Sequence, residues 1–240
     1  MIHLITYGNN NYNNSKKRLY NEALSSGWFD NVTLYGDEDL DNTFKIQFKE
    51  ILQQQRGGGY WIWKPYIIKK HLDKLHDDDI LIYLDAGCSI NKYGKQRFNE
   101  YINMVRNNDV GIISFQMDHI EKNWTTREIF QYFNIEEEED AKIKNSGQIV
   151  GGIQIIKKNP NSIKLINLWN KVLYINPLLF TDYYNNQNQQ DYFKDNRHDQ
   201  SVFSIIRKKY NSIILKDETF FEPFGNVISL NYPFWATRLK

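Results

Sequence analysis

The sequence predicts an α/β fold in which helices cover both faces of a mostly parallel central sheet. Short apolar runs rich in β-branched and aromatic residues alternate with longer segments whose apolar residues recur at helical spacing. This alternation is typical of parallel strands joined by helical crossovers. The chain has 240 residues, without an internal repeat or a segment of linker composition, so we predict one domain.

The strand predictions rest on apolar runs that end at glycine, asparagine or charged residues. We predict strands over residues 2–7, 32–35, 80–84, 110–115, 149–156 and 212–215. Gly151 and Gly152 interrupt the fifth of these strands. Glycines inside a strand mark either a bulge or a close approach by another group, and the sequence does not separate the two.

The helix predictions rest on capping and breaking residues. Ser15 can cap a helix that stops at Gly27, and Asn159 followed by Pro160 opens a later one. Thr125 or Thr126 can cap a helix that lies between these two in the sequence. We predict helices over residues 15–26, 43–54, 65–75, 95–106, 126–133, 160–172 and 199–209.

Composition limits the classes of function. The formal net charge is +1, so no overall field attracts the chain to nucleic acid or to an anionic membrane. No apolar run is long enough to cross a bilayer. The single cysteine, Cys88, excludes an intrachain disulfide and fits a reducing compartment, so we expect the cytoplasm, or the host cytoplasm for a viral protein.

In a parallel sheet, ligands bind beyond the carboxyl ends of the strands. The residues at these ends are Thr6, Tyr7 and Gly8 after the first strand, Asp85 to Cys88 after the third, and Gln116 to His119 after the fourth. A carboxylate such as Asp85 can hold a divalent cation that bridges two phosphates, or accept from a sugar hydroxyl. It can equally cap the following turn. The run from Asp77 to Asp79 lies at the opposite end of the sheet, where we predict a solvated turn.

A glycine-rich segment, Arg56-Gly57-Gly58-Gly59, precedes the helix near Pro65. Glycines let the backbone approach a ligand, and the cationic Arg56 and Lys64 can neutralise a pyrophosphate at the helix N-terminus. The alternative is a flexible loop before a tryptophan-rich core helix. Gly-Lys-Ser/Thr is missing, which excludes a phosphate-binding P-loop. Near the end of the chain, Asp199 is a candidate N-cap as much as a candidate catalytic residue.

Taken in order, these motifs resemble those of the GT-A-fold glycosyltransferases, above all the family 8 galactosyltransferase-like enzymes and their small bacterial and viral relatives. The motifs are Lys64, then Tyr83-Leu84-Asp85, then Gly151-Gly152, then Asp199-Gln200. The resemblance spans residues 1–215. It implies a single GT-A domain over residues 1–240.

The resemblance divides this domain into a nucleotide-sugar-binding half over residues 1–115 and an acceptor-side half over residues 116–240. It implies transfer of a hexose-like sugar from a nucleoside diphosphate donor to a hydroxyl of a glycan or related acceptor, as in polysaccharide biosynthesis. Nucleotide-sugar binding then falls to Thr6, Tyr7, Gly8, Tyr12, Arg56, Lys64, Asp85, Ala86, Gly87, Gly151 and Gly152. An inverting reaction needs a carboxylate base, for which Asp118 and Asp199 are the candidates.

The chain departs from the family pattern at the metal site. The family's second metal-binding Asp corresponds to Gly87, and the late metal-binding His has no counterpart in residues 220–240. Either Asp85 holds Mn²⁺ or Mg²⁺ with help from phosphate oxygens and water, or Arg56 and Lys64 carry the leaving-group charge. Two other functions are compatible with these motifs, namely a catalytically silent nucleotide-sugar or carbohydrate-binding domain and a sugar-phosphate nucleotidyltransferase.

Overall fold

The computed structural model describes residues 1–135 and 140–239. Within these residues, seven strands form the central sheet, in the order β2-β1-β3-β7-β5-β6 with β8 paired to β5. The strands are β1 (Ile2–Tyr7), β2 (Asn31–Tyr35), β3 (Ile80–Leu84), β5 (Ile112–Ile120), β6 (Gly147–Ile149), β7 (Ile153–Lys157) and β8 (Ile213–Lys216). A second, two-stranded sheet pairs β4 (Ser89–Ile90) with β9 (Phe234–Trp235).

Helices precede or follow most of these strands, as predicted. They are α1 (Asn13–Ser26), α2 (Asn42–Gln47), α3 (Lys49–Leu52), α4 (Gly57–Tyr60), α5 (Trp63–Leu72), α6 (Lys95–Arg106), α7 (Arg127–Tyr132), α8 (Ala141–Asn145), α9 (Pro160–Ile175) and α10 (Asp199–Lys209). No helix in the described part of the chain is long and apolar enough to cross a membrane.

Two hydrophobic cores lie on the two faces of the sheet. Side chains alternate between the faces along a strand. In β3, Leu81 and Tyr83 pack into the core formed with α5, α9 and α10, whereas Ile80, Ile82 and Leu84 pack into the core formed with α1 and α6. All five side chains are fully buried, which explains why β3 reads as a continuous apolar run.

The sheet is mostly parallel, and its one internal antiparallel strand places the candidate site. β1 pairs in parallel with β2 and β3, and β5 pairs in parallel with β8. Strand β7 lies between β3 and β5 and is antiparallel to both. Leu84 therefore pairs with Ile153, so the start of β7 and the glycines before it lie at the carboxyl end of β3.

Three local predictions are wrong in detail. Helix α1 begins at Asn13, and Ser15 is a buried residue of its first turn, not its cap, although Gly27 does end the helix, with a φ of 66°. The residue before α10 is His198, and Asp199 is the first helical residue. Asp79 is not solvated: its buried carboxylate accepts hydrogen bonds from the Met1 amine (2.5 Å) and the His76 backbone N–H (3.0 Å).

Two capping predictions are confirmed. The Thr126 hydroxyl accepts a hydrogen bond from the Ile129 N–H and caps α7. The Asn159 side chain accepts from the Ser162 N–H, and the Ser162 hydroxyl accepts from the Asn159 N–H. This reciprocal pair starts α9 immediately before Pro160, as the sequence indicates.

Candidate active site

Asp85 lies where β3 ends, and the start of β7 holds its backbone in place. Its N–H donates to the Gly152 carbonyl (2.8 Å), and its own carbonyl accepts from the Cys88 N–H (2.8 Å). The Tyr83 hydroxyl donates to Asp85 Oδ1 (2.5 Å). Burial raises the pKa of Tyr83 well above its ordinary value, so the phenol stays protonated as a donor. The Asp85 side chain is 38% exposed and remains open to a ligand.

Lys64 lies in the first turn of α5 and reaches between two carboxylates. Its Nζ is 3.2 Å from Asp85 Oδ1 and 3.1 Å from Asp199 Oδ2, and it donates to the Gly151 carbonyl at 3.5 Å. The side chain is only 3% exposed. Burial lowers the pKa of Lys64, but the two carboxylates outweigh burial and hold the pKa above its ordinary value. The ammonium is therefore a fixed positive charge.

Asp199 begins α10 and is almost fully enclosed, with its side chain 4% exposed. Burial raises the pKa of Asp199 to about 6; Lys64 opposes this rise and Asp85 adds to it. The neighbouring Gln200 ties the helix to the glycine pair, because its Oε1 accepts from the Gly151 N–H (3.0 Å). The first turn of α10 thus has a fixed position relative to the ends of β3 and β7.

Gly151 and Gly152 are required because the space beside them is already filled. A Cβ added at Gly152 would lie 2.6 Å from Asp85 Oδ2, and one added at Gly151 would lie 2.8 Å from Gln200 Cβ. Of the two alternatives that the sequence left open, a bulge or a close approach, the structure shows a close approach, made by the protein's own side chains. β6 and β7 are separated at these glycines, as predicted.

Tyr7 and Gly8, at the end of β1, are positioned by neighbouring aromatic and acidic residues. The Tyr7 ring stacks on Trp63 with 3.9 Å between ring centroids, and its hydroxyl donates to Asp37 Oδ1 (2.5 Å). Gly8 lies under Tyr12, so that a Cβ at Gly8 would be 2.7 Å from Tyr12 Cβ. Tyr12 is exposed and offers its ring to a ligand in this corner.

Thr6 and the glycine-rich segment complete this side of the site. Thr6 is buried, and its hydroxyl has no hydrogen-bond partner among the residues that the structure describes. Gly57, Gly58 and Gly59 all have positive φ, which L-residues with a side chain rarely adopt. A Cβ at Gly58 would lie 3.7 Å from Asn9 Nδ2, so the segment borders the end of β1.

Arg56 is already paired with carboxylates. Its guanidinium group contacts Asp182 (3.1 Å) and Asp195 (2.6 Å). Asp182 also contacts His198 Nε2 at 2.8 Å. Arg56 is therefore part of a network that holds the segment before α10, and it lies outside the group formed by Lys64, Asp85 and Asp199.

Ala86 and Gly87 lie under the C-terminal segment. The Arg18 guanidinium group donates to the Ala86 carbonyl (3.1 Å) and fixes the turn. The Gly87 carbonyl accepts from the Leu239 N–H (2.9 Å) and the Thr237 hydroxyl (2.8 Å). A Cβ at Gly87 would lie 3.1 Å from Arg238 Cα. Backbone therefore occupies the space next to Gly87, the position at which the family resemblance implies a second metal-binding Asp.

These residues do not fit the Mn²⁺ or Mg²⁺ site that the family resemblance implies. Divalent cations of this kind need several oxygen ligands in one place. Asp85 Oδ1 is already engaged by Tyr83 and Lys64, and Gly87 has no side chain to offer. Across residues 1–135 and 140–239, no cluster of three or more His, Cys, Asp or Glu side chains has the arrangement of a metal site.

Asp118 lies apart from this group. It is exposed on β5, which extends beyond the predicted end of that strand. Its electrostatic neighbour is Asp217: burial is the main reason that the pKa of Asp217 is raised, and Asp118 adds to the rise. The structure thus brings together Lys64, Asp85, Gly151, Gly152 and Asp199, and places Asp118 and Arg56 elsewhere.

Sequence reasoning missed Asp37, Arg18 and Arg238. Asp37 follows β2, whose carboxyl end lies beside that of β1, so the rule that selected Tyr7 also selects Asp37. Arg18 lies within α1 and carries no motif. The approach of Arg238 to Gly87 joins residues that are far apart in sequence, and no local pattern indicates it.

No family model and no curated protein matches this sequence. Solved structures that are similar in fold include the following two. A glycosyltransferase involved in the glycosylation of the major capsid of PBCV-1 has a TM-score of 0.53 at 11% identity, over 98% of this chain and 91% of that one. The apo bifunctional glycosyltransferase WbbM has a TM-score of 0.50 at 9% identity, over 91% of this chain but 39% of that one. The likeness concerns the fold and confirms the GT-A-type α/β architecture predicted from the sequence.

Proposed function

We propose that this protein transfers a hexose-like sugar from a nucleoside diphosphate donor to a hydroxyl group of a glycan or related acceptor. One observation carries the proposal: Lys64, Asp85 and Asp199 meet beyond the carboxyl end of β3. In α/β sheets this edge is where ligands bind. The likeness in fold to glycosyltransferases supports the same conclusion.

The nucleoside is proposed to bind at the end of β1. Tyr12 packs over Gly8, and its exposed ring can stack on a base. Asp37 is exposed and held by Tyr7, and its remaining lone pairs can accept hydrogen bonds from hydroxyl groups such as those of a ribose. Thr6 adds an unpartnered hydroxyl beneath this corner.

The sugar is proposed to bind against Asp85. This carboxylate is fixed on one oxygen by Tyr83 and Lys64, while its exposed part can accept hydrogen bonds from sugar hydroxyls. Gly151 and Gly152 leave room for the side chains of Gln200 and Asp85, which border this space. Lys64 is proposed to orient Asp85 and Asp199, so that the sugar meets a preorganised set of acceptors.

During transfer, the acceptor oxygen bonds to the anomeric carbon and releases its proton to a carboxylate or phosphate oxygen. The bond from the anomeric carbon to the diphosphate breaks, and the diphosphate oxygen keeps the electron pair. The positive ends of α5 and α10 point toward this region and favour the developing negative charge.

The test is turnover with a panel of uridine, guanosine and cytidine diphosphate sugars, with and without Mn²⁺, measured as release of free nucleoside diphosphate. We expect at least one donor to turn over. The Asp85→Asn variant should lower the rate about 100-fold, in the range found for the loss of one preorganised polar group. Asp77→Asn is the matched control, because Asp77 is exposed at the opposite end of the sheet.

Three outcomes would contradict the proposal. Equal rates for the wild type and Asp85→Asn would show that Asp85 takes no part in the reaction. Donor binding without turnover for any acceptor would indicate a silent binding domain. Release of pyrophosphate from a nucleoside triphosphate would indicate nucleotidyl transfer.

A further inference from the structure

The cations that the sequence assigns to the leaving group are already neutralised by the protein itself. Lys64 is shared between Asp85 and Asp199, and Arg56 is shared between Asp182 and Asp195. Neither cation has net positive charge left for a diphosphate. Because separating negative charge from a cationic anomeric centre is the difficult step, the site needs positive charge from another source.

The backbone of Arg238 lies against Gly87, in the turn that follows Asp85. Its Cα would be 3.1 Å from a Cβ at Gly87, two residues beyond Asp85. Hydrogen bonds from Thr237 and Leu239 to the Gly87 carbonyl hold it there on both sides. Arg238 also has a φ of 56°, a left-handed conformation that non-glycine residues rarely adopt. Such strain is typical of functional positions.

Arg197 lies two residues before Asp199, in the segment that leads into α10. Its guanidinium group lies 4.1 Å from the centroid of the Trp124 ring. Burial is the main reason that its pKa is lowered; Asp195 opposes this, and the charges of Arg238 and Arg56 add to it. The positive charges of Arg197, Arg238 and Arg56 therefore lie close enough to repel one another. An anion bound between them would reduce this repulsion.

Arg197 and Arg238 also differ from Arg56 in what they contact. Within the described residues, neither forms an ion pair with a carboxylate, and Arg238 is exposed. Guanidinium groups bind phosphate oxygens through two parallel hydrogen bonds, and they do so at any physiological pH. An exposed arginine held on a strained backbone against Gly87, two residues beyond Asp85, is thus available to an anionic ligand.

We propose that Arg238, assisted by Arg197, binds the diphosphate of the donor and supplies the positive charge for which the family resemblance implies a metal ion. Gly87 is then a requirement, because a larger residue would displace the backbone of Arg238. This inference rests on the proposed function. It makes recognition of the diphosphate independent of divalent cations.

The test compares nucleoside diphosphates with the matching monophosphates by titration calorimetry in EDTA, using the uridine, guanosine, cytidine and adenosine series. For the base that binds, the wild type should prefer the diphosphate. Arg238→Gln should weaken diphosphate binding about 10- to 100-fold and leave monophosphate binding nearly unchanged. Arg238→Lys should keep most of the preference because it keeps the charge.

Arg106→Gln is the matched control. Arg106 is exposed at the end of α6, and its carbonyl accepts from Lys157, which pairs with the first residue of β3 at the opposite edge of the sheet. This variant should bind both nucleotides as the wild type does. The exposed positions of Arg106 and Arg238 make loss of folding an unexpected result, which circular dichroism checks.

The outcomes separate the two proposals. Unchanged diphosphate binding by Arg238→Gln overturns the role of Arg238 while leaving the proposed function intact. If the wild type binds the diphosphate only when Mn²⁺ is present, the role of Arg238 is also overturned, and the proposed function again stays intact. If no nucleotide binds to the wild type with or without Mn²⁺, both the role of Arg238 and the proposed function fail.

Discussion

Two buried lysines lie near opposite ends of α10, and the two groups of charges around them differ in whether they open to solvent. Lys64, with Asp85 and Asp199, forms the site cluster. Lys208, with Glu121, forms the support cluster, in which the two charged atoms are 2.8 Å apart. Lys64 and Lys208 are each only 3% exposed.

In the support cluster the carboxylate is fully satisfied by the protein. Glu121 is 0% exposed and accepts from Thr125 (2.6 Å), from Gln148 (2.9 Å) and from the Ser204 hydroxyl. Burial lowers the pKa of Lys208, and Glu121 only partly offsets it. Every acceptor is used, so this cluster stabilises the packing of α10 and has nothing to offer a ligand.

The site cluster holds more charge than it satisfies. One lysine faces two carboxylates, Asp85 is 38% exposed, and Asp199 Oδ2 has an ion pair with Lys64 but no hydrogen bond among the described residues. Burial and net charge of this kind are costly to folding. An open carboxylate held by a buried lysine is a feature that stability alone does not explain, and the proposed function rests on it.

The largest expected effect is on the support cluster. Glu121→Gln should lower the free energy of unfolding by about 3 to 5 kcal/mol, because it leaves Lys208 buried without a counter-charge. Chemical denaturation measures this. Nucleotide affinity of the remaining folded protein should be unchanged. A large loss of affinity without loss of stability would show that the support cluster takes part in binding.

The next effect is on the site cluster. Lys64→Met should lower turnover about 100- to 1,000-fold, since Asp85 and Asp199 then repel each other and lose their fixed positions. Initial rates at saturating donor measure this. Lys208→Met is the matched variant, for which we expect a loss of stability and normal turnover at a temperature where it is folded. Equal turnover in the two variants would contradict the conclusion that the site cluster serves turnover while the support cluster serves stability.

The smallest expected effect is a gain in stability when the charge of Asp199 is removed. The pKa of Asp199, about 6 in the folded protein, lies above its ordinary value of 3.8. A raised pKa means that the folded state binds the proton more tightly than the unfolded state does. Protonation of Asp199 therefore stabilises the folded state; this stabilisation is fully present below pH 3.8 and is lost as pH rises through 6. Asp199→Asn removes the charge and should stabilise the protein at pH 7 by about 2 kcal/mol, while lowering turnover.

The measurement is the difference in unfolding free energy between the wild type and Asp199→Asn, followed from pH 7 to pH 4. We expect the advantage of the variant to shrink as pH falls, because Asp199 of the wild type becomes protonated. A variant that is less stable than the wild type at pH 7 would mean that the ion pair with Lys64 outweighs the burial of the carboxylate.

Much of the fold could be predicted because the signals are local. The continuous apolar run at β3 and the capping pair Asn159-Pro160 are properties of neighbouring residues, and both lead to the observed elements. Helices α6 and α10 begin and end where the sequence places them. Ser15 failed as a cap because an earlier asparagine already starts α1, and propensity alone does not rank two possible starts.

The sequence by itself determined where most of the strands and helices follow one another along the chain, because periodicity is local. It also identified Lys64, Asp85, Gly151 and Asp199 as candidate site residues, because motifs are local. Only the tertiary structure decided how their charges are shared. Ion pairs such as Lys64 with Asp199, or Arg56 with Asp182, join residues separated by more than 100 positions. The same holds for Gly87, which the sequence presents as a missing ligand. Its meaning depends on the backbone of Arg238 lying against it, and such packing exists only once the chain has folded.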